Sequence, residues 1–309
     1  MWIKEPGEVI SNLDFLGTYE NCLYLLRGKE SMIIGGGMSY IVPSLEAQLS
    51  AIAFDPDHLR YLVILHSHFD HCGAVPYLKR KFPHIQVLAS AHSERVFSKE
   101  KAVNFIADIN KQMIDSSGLQ SEYDRLNLKF DGIQVDRVIT EEDTIDLGDD
   151  IEVHFMNMSG HTACSMAAYV PKLKILFPSD AAPTPIDEEN VLYCLGPQYD
   201  FSLYTESLKK LISCEPEVCA FEHHGAVTGD QAKKVLREGL RQTENFKNHV
   251  IELYRQTGDL DKISQTVATE TLDKNRFSFM DKELSVTVLK TVIRNVLRNA
   301  KLLDEAPAP

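Results

Sequence analysis

The feature that most constrains this chain is the run HSHFDH at residues 66–71, which follows directly on the apolar stretch RYLVIL. The apolar stretch predicts a buried strand. Because residues two apart on an extended chain point the same way, His66 and His68 can reach one metal ion together. Imidazoles and a carboxylate at a strand end are typical of a metal site. A His-rich surface loop and core histidines bonded to the backbone are the structural alternatives.

The segment after this run predicts a turn and then a helix. Asp70 and His71 precede Gly73 and the apolar segment AVPYL, and Pro76 is well tolerated in a first helical turn. A helix start at this place favours the neutral form of His71, which is the form that binds metal. We therefore expect Asp70 and His71 to face a second ion.

Composition excludes several classes of partner. The chain has 309 residues, with 44% hydrophobic and 25% charged residues, which is typical of a globular enzyme. Its net charge of −13 opposes nonspecific attraction to nucleic acid or to an anionic membrane. The N-terminal residues do not resemble a secretory signal, and the six cysteines include no CxxC pair. We predict a cytoplasmic protein with reduced thiols, without nucleic-acid or membrane partners.

The hydrophobic pattern predicts an α/β fold. Residues 31–34, 61–65 and 166–170 are among the runs that predict strands, and the strand-rich blocks are flanked by predicted helices. This order favours two sheets packed face to face with helices outside. In the helix predicted over residues 99–116, the spacing of Phe105, Ile109 and Met113 predicts a core face.

Two domains are predicted. Residues 1–228 form the first, because no flexible linker interrupts them, and residues 229–309 form a helical C-terminal subdomain with wide apolar helix faces. Such faces need cover, so the subdomain docks on the core, acts as a lid over the metal site, or forms a dimer surface.

Further potential metal ligands follow predicted strands downstream. They are His161 in GHT, Asp180 in SD, and the pair His223-His224 in HHG. Each alone is better explained by a turn cap, an Asx-turn or a solvated loop than by a metal site. Together with the HSHFDH run they make four such clusters in one chain. This number favours a common site, because strand ends that lie together gather their side chains at one edge of a sheet.

The order HSHFDH, GHT, SD and HHG resembles the metallo-β-lactamase superfamily, particularly its glyoxalase II-like hydrolases. The resemblance implies a four-layer αβ/βα sandwich with a C-terminal helical extension and a dinuclear metal centre. One ion would be held by His66, His68 and His161, the other by Asp70, His71 and His224, with Asp180 as the bridge. His224 is preferred because the family pattern places Gly directly after the ligand, and His223 is the alternative.

A narrower resemblance covers the segments HFDHCGAVPYL and IQVLAS, the chain length and the helical C-terminus. Together they resemble the quinolone-signal response proteins, a thioesterase-like branch of the superfamily. This resemblance implies that the C-terminal helices help to cover the active site and contribute to a homodimer.

The chain departs from the family pattern at two positions. Around Gly35, the run IIGGG has no carboxylate where the family usually has an aspartate in an early strand-end motif, and Ser179 stands where a glycine commonly precedes the bridging aspartate. Loss of a partner that orients a ligand reduces metal affinity or activity by about 10- to 100-fold. The first departure therefore predicts a weaker centre, whereas the second is expected to be tolerated.

The predicted function is a dinuclear metal-dependent hydrolase that acts on a small-molecule ester or thioester. Two divalent ions make a shared water a hydroxide near neutral pH, and Asp70 is the predicted catalytic residue that orients it. Zinc is expected first, with iron or manganese as alternatives, since imidazole and carboxylate suit all three. The alternative functions are a phosphodiesterase or nuclease of the same fold, and a regulatory protein with a residual metal site that acts through a partner.

Overall fold

The computed structural model describes residues 1–52, 54–272 and 277–304, and the chain divides into two compact units. The first unit contains Met1–Asn157, Cys164–Ser179 and Pro216–Gln231. The second contains Met158–Ala163, Asp180–Glu215 and the chain from Ala232 onward. Two segments that precede residue 229 thus group with the C-terminal helices, and the predicted domains over residues 1–228 and 229–309 stay predictions.

The strands of the first unit form two sheets of seven. Their spatial orders are β2-β3-β4-β5-β6-β7-β8 and β1-β14-β13-β12-β11-β10-β9. The strands are β1 (Trp2–Ile3), β2 (Gly7–Ile10), β3 (Leu13–Gly17), β4 (Cys22–Arg27), β5 (Ser31–Ile34), β6 (Leu59–Ile64), β7 (Gln86–Ser90), β8 (Arg137–Ile139), β9 (Thr144–Asp146), β10 (Glu152–Asn157), β11 (Met166–Val170), β12 (Ile175–Phe177), β13 (Val218–Ala220) and β14 (Ala226–Thr228).

Strand direction decides which loops share an edge. In the first sheet β5, β6, β7 and β8 pair in parallel. In the second sheet β12 and β13 pair in parallel. The carboxyl ends of parallel strands meet at one edge of a sheet, where ligands bind in open α/β sheets. The loops after β5 and β6 therefore lie side by side, and so do the loops after β12 and β13.

The two faces of the first sheet bury two separate apolar clusters, as β4 shows. Because successive side chains on a strand alternate between faces, Tyr24 and Leu26 pack with Phe177 of the other sheet. Leu23 and Leu25 pack on the opposite face with the helical segments of this unit. Those helices are α1 (Val42–Ala51), α2 (Val75–Lys81), α3 (Ala91–Phe97), α4 (Glu100–Ser116) and α5 (Gln120–Leu126).

The predicted core face of α4 is wrong by one position. Phe105 is 52% exposed, and the buried residues of the helix are Ile106, Asn110 and Ile114. A polar residue occupies the centre of the buried face because its side chain is fully bonded: Asn110 accepts from the amide of Ser39 and donates to two backbone carbonyls. Hydrophobic spacing alone assigns this face wrongly, since it does not count a buried asparagine.

The second unit is mainly helical. Its helices are α6 (Phe201–Ser213), α7 (Asp230–Thr257, which begins in the first unit), α8 (Leu260–Val267) and α9 (Lys282–Asn299), with a π-helical turn at Ala268–Leu272. The wide apolar face predicted for the C-terminal helix is buried, with Leu289, Val292, Ile293, Val296 and Leu297 enclosed. The lid and dimer roles stay predictions. Within the described ranges, no helix combines the length and apolarity needed to cross a membrane.

Candidate metal centre

The first two histidines of the HSHFDH run follow β6. That strand ends at Ile64, and the side chain of His66 is fully buried two residues later. The rings of His66 and His68 have centroids 4.9 Å apart at an interplanar angle of 72°. The extended chain beyond β6 therefore brings these two imidazoles together, in agreement with their spacing in the sequence.

A short 3-10 helix, Phe69–His71, presents Asp70 and His71. It starts after His68, whose backbone is extended (φ −67°, ψ 153°), and the amide of His71 donates to the carbonyl of His68 at 3.1 Å. Asp70 is 9% exposed and His71 is 1% exposed. The predicted helix follows as α2, with a proline in its first turn.

The glycine run after β5 lies directly against this segment. The amide of Gly73 donates to the carbonyl of Gly37 at 2.6 Å, and the amide of Ala74 donates to that of Gly36 at 2.9 Å. A Cβ on Gly36 would lie only 2.5 Å from the carbonyl oxygen of His71. The approach is so close that only glycine leaves room for the backbone that carries His71.

The loop after β13 supplies a fourth histidine, His223. Its Nε2 lies 3.1 Å from Nε2 of His71 and 3.5 Å from Oδ2 of Asp70, and Oδ2 of Asp70 lies 3.5 Å from Nε2 of His71. The Nδ1 atom of His223 donates to the backbone carbonyl of Glu20. Since a carbonyl can only accept, His223 carries its proton on Nδ1 and presents the Nε2 lone pair to Asp70 and His71.

These three atoms fit a metal ion. Ligand atoms arranged tetrahedrally at about 2.0–2.1 Å from zinc lie roughly 3.3–3.4 Å from one another, close to the three distances between Asp70, His71 and His223. Two imidazole lone pairs and a carboxylate oxygen gathered in the protein interior repel one another unless a cation lies among them. The donor set of this group therefore suits a divalent ion held by nitrogen and oxygen.

His224, the ligand preferred from the family pattern, takes a different direction from His223. Its backbone adopts the left-handed conformation at φ 64°, and its ring stacks on Tyr19 with centroids 4.9 Å apart. The indole of Trp2 donates to its carbonyl at 2.7 Å. The structure thus groups His223, the alternative, with Asp70 and His71. Two adjacent residues cannot point the same way here, because the backbone turns between them.

Glu222 is a site residue that the sequence reasoning missed. It forms a second potential metal-binding group with His66 and His71, and its Oε1 lies 3.2 Å from Nδ1 of His71. Its Oε2 accepts from the hydroxyl of Ser179, which lies 3.0 Å from Nδ1 of His66. The only sequence signal for Glu222 is its place directly before the histidine pair at the end of a predicted strand.

Two buried thiols, those of Cys72 and Cys22, lie near this group. Burial raises the pKa of the Cys72 thiol and that of the Cys22 thiol well above the ordinary value. Cys72 donates to the carbonyl of His68, and Cys22 accepts from the amide of Gly225. These two contacts fix each thiol against the backbone of the segments that carry His68 and Gly225.

His161 and Asp180 belong to the second unit and lie together there. Nε2 of His161 is 3.3 Å from Oδ2 of Asp180, and Nδ1 of His161 donates to the carbonyl of Gly196 at 2.7 Å. His161 therefore also carries its proton on Nδ1 and turns Nε2 toward a carboxylate. That these two residues share a centre with His66 and His68 stays a prediction from the family pattern.

Comparison with known proteins identifies the family. The model of the Metallo-beta-lactamase superfamily matches residues 17–224, about two thirds of the chain. The chain belongs to the Metallo-beta-lactamase superfamily. Members of this superfamily are mostly metal-dependent hydrolases, and they typically bind divalent metals in a dinuclear site. The resemblance inferred from the order of the motifs is confirmed, although the glyoxalase II-like and thioesterase-like assignments stay predictions.

Relatives support the same fold. The chain is 28% identical over 186 residues to the metallo-beta-lactamase fold-containing protein ST1585 of Sulfurisphaera tokodaii. The aligned region covers 60% of this chain and 67% of the relative. The solved structure of ST1585 aligns with a TM-score of 0.57 at 20% identity, over 94% of this chain and 99% of that one. The family protein TTHA1429 from Thermus thermophilus aligns with a TM-score of 0.66 at 13% identity, over 95% of each chain. The predicted fold class is confirmed.

Proposed function

We propose that this superfamily member is a dinuclear metal-dependent hydrolase that acts on a small ester or thioester. The observation that carries the proposal is the convergence of Asp70 Oδ2, His71 Nε2 and His223 Nε2 within 3.1–3.5 Å of one another. The spacing fits one divalent ion. The assignment of the other ion to His66, His68 and His161, with Asp180 as the bridge, comes from the family pattern alone.

The proposed chemistry divides between the ions and the chain. A divalent ion bound in such a site would lower the pKa of bound water to about 7 and would polarise a substrate oxygen. Nδ1 of His223 donates to the carbonyl of Glu20, which holds that ring with Nε2 toward Asp70 and His71, and Nδ1 of His71 lies 3.2 Å from Oε1 of Glu222. Oδ2 of the Asp70 carboxylate lies 3.5 Å from the Nε2 atoms of both His71 and His223. We assign it the task of orienting the nucleophile and holding a proton for the leaving group.

A thioester suits this arrangement better than a substrate with a poor leaving group. A thiolate leaves without strong protonation, so the single carboxylate of Asp70 is sufficient as a proton carrier. The phosphodiesterase and nuclease alternative is disfavoured by the net charge of −13, which repels a polyanionic substrate. The alternative of a non-catalytic regulator is motivated by the absence of a carboxylate at position 35, but Glu222 places a carboxylate beside that position.

The test is a substrate screen on purified protein loaded with zinc, iron or manganese. The panel contains acyl thioesters, p-nitrophenyl acetate, bis-p-nitrophenyl phosphate and nitrocefin. We expect turnover of at least one thioester or ester, and only background rates on the phosphodiester. Turnover of the phosphodiester or RNA without any thioesterase activity would instead establish the alternative enzyme class.

Two adjacent histidines provide matched variants for this screen. His223→Ala removes a member of the proposed ligand group and should lower kcat/KM at least 100-fold. His224→Ala makes the same change one residue later, on the ring that stacks on Tyr19, and should keep activity within a few fold of wild type. Equal losses in both variants, or a loss confined to His224→Ala, would contradict the assignment of His223.

A further inference from the structure

The two positions at which the chain departs from its family pattern both contact one buried carboxylate, that of Glu222. A Cβ on Gly35 would lie 2.8 Å from Oε1 of Glu222, so a side chain at position 35 would displace this carboxylate from its present place. The hydroxyl of Ser179 donates to Oε2 of the same group. Both departures therefore lie against the carboxylate of Glu222, a residue that is 3% exposed.

The backbone of Glu222 is fixed from the first sheet. The amide of Cys22 donates to its carbonyl at 2.8 Å, and the buried hydroxyl of Tyr24 donates to the preceding carbonyl, that of Phe221, at 2.7 Å. Both donors lie on β4, next to β5 in the sheet. The Glu222 carboxylate thus extends toward Gly35 from a backbone that two hydrogen bonds from β4 hold in place.

This carboxylate acts on two histidines. Oε1 lies 3.2 Å from Nδ1 of His71, so the carboxylate faces the Nδ1 side of that ring and leaves its Nε2 side to Asp70 and His223. The single hydroxyl proton of Ser179 is given to Oε2, so its oxygen, 3.0 Å from Nδ1 of His66, accepts from that ring. His66 consequently carries its proton on Nδ1 and presents Nε2, while His71 has the Glu222 carboxylate on its Nδ1 side.

The backbone conformation of Ser179 indicates that position 179 has a serine because of the contacts that the hydroxyl makes. Its φ is +48°, in the left-handed region that glycine adopts freely and other residues rarely occupy. A glycine would remove this strain and would also remove both hydroxyl contacts. The chain keeps the serine, and the serine is what connects Glu222 to His66.

We propose that Glu222 is a positioning residue that takes the place of the carboxylate missing at position 35. It holds His71 directly and His66 through Ser179, so that both Nε2 atoms are aimed at the ions. The proposal rests on the proposed metal centre. It is independent of which substrate the centre acts on.

The first test is made on metal-free protein, by ¹⁵N NMR of the histidine rings at a pH where they are neutral. Wild type should show His66 protonated on Nδ1. Glu222→Gln and Ser179→Ala each disturb the connection from Glu222 through Ser179 to His66, so each should change the tautomer of His66. Asp14→Asn is the control, because Asp14 is also a buried carboxylate of this unit but pairs with Arg27 at 3.1 Å.

The second test is the zinc affinity of the same variants. Glu222→Gln and Ser179→Ala should bind zinc about 10- to 100-fold more weakly, the range for losing a partner that orients a ligand, and Asp14→Asn should bind it as wild type does. Ser179→Gly separates positioning from folding, because it should weaken zinc binding while leaving thermal stability equal or higher.

The outcomes for function and for positioning are distinct. If the wild type binds zinc and shows the Nδ1 tautomer of His66 but hydrolyses nothing, the proposed function fails and the role of Glu222 stands. An unchanged His66 tautomer in Glu222→Gln and Ser179→Ala, together with zinc affinity within twofold of wild type, would overturn the role of Glu222.

Discussion

Replacement of Gly36 by alanine should disturb the metal centre through the backbone alone. The added Cβ would lie 2.5 Å from the carbonyl oxygen of His71, 2.6 Å from Cγ2 of Val75 and 3.0 Å from Cα of Cys72. Ordinary contacts begin near 3.4 Å, so the carbonyl of His71 must move by about 0.9 Å. Because His71 is packed on all sides, this movement carries its imidazole away from the positions of Asp70 and His223.

The magnitude follows from two opposing effects. Overpacking a filled interior costs about 1–3 kcal/mol, whereas alanine at a position without left-handed φ regains about 0.4–1 kcal/mol by restricting the unfolded chain. We expect Gly36→Ala to lower the free energy of unfolding by about 1–2 kcal/mol, and to weaken zinc binding about 10- to 100-fold by displacing a ligand. Urea denaturation and a competitive zinc titration measure the two quantities.

A second glycine offers a matched control. A Cβ on Gly28 would lie 2.7 Å from the carbonyl oxygen of Leu147, a similar backbone clash in the same unit, at the turn between β4 and β5. Gly28→Ala should lose comparable stability and keep wild-type zinc affinity. The reasoning is refuted if Gly36→Ala binds zinc as tightly as Gly28→Ala, or if neither variant is destabilised.

Three further predictions concern stability. Asn110→Ala removes an acceptor for Ser39 and a donor to Phe69 in the interior, and should lower the free energy of unfolding by about 2–4 kcal/mol in urea; an unchanged midpoint would contradict this. Asp200→Ala removes the N-cap of α6, which accepts from Leu203 at 2.8 Å, and should cost about 0.5–2 kcal/mol, with no change in zinc affinity. Chelation of zinc-loaded protein should lower Tm by several degrees, since ligand at 100 times Kd stabilises by about 2.7 kcal/mol; a Tm insensitive to chelator would exclude a bound ion.

The sequence predicted the elements that depend on local pattern. Strands predicted over residues 31–34 and 166–170 have these bounds in the structure as β5 and β11. The HSHFDH run was placed correctly at the end of a buried strand, because a continuous apolar run followed by polar ligands needs no tertiary information to interpret. The family, and with it the fold class, followed from the order of the motifs.

The features that were missed depend on contacts between distant parts of the chain. Glu222 could be connected to Gly35 only through the pairing of strands in two sheets, and the space left by a missing Cβ is invisible in sequence. The choice between His224 and His223 as a ligand stays a prediction, and it depends on one backbone dihedral at the turn after β13. The buried face of α4 was misassigned because Asn110 is enclosed by hydrogen bonds rather than by apolarity.

The central claim is that the ends of β6 and β13 jointly hold a metal ion. The most direct measurement is anomalous diffraction at the zinc edge from crystals of the zinc-loaded protein. The account predicts a peak bound by Asp70 Oδ2, His71 Nε2 and His223 Nε2. The absence of anomalous density from this group at full zinc loading, or a peak bound by His224 in place of His223, would contradict it.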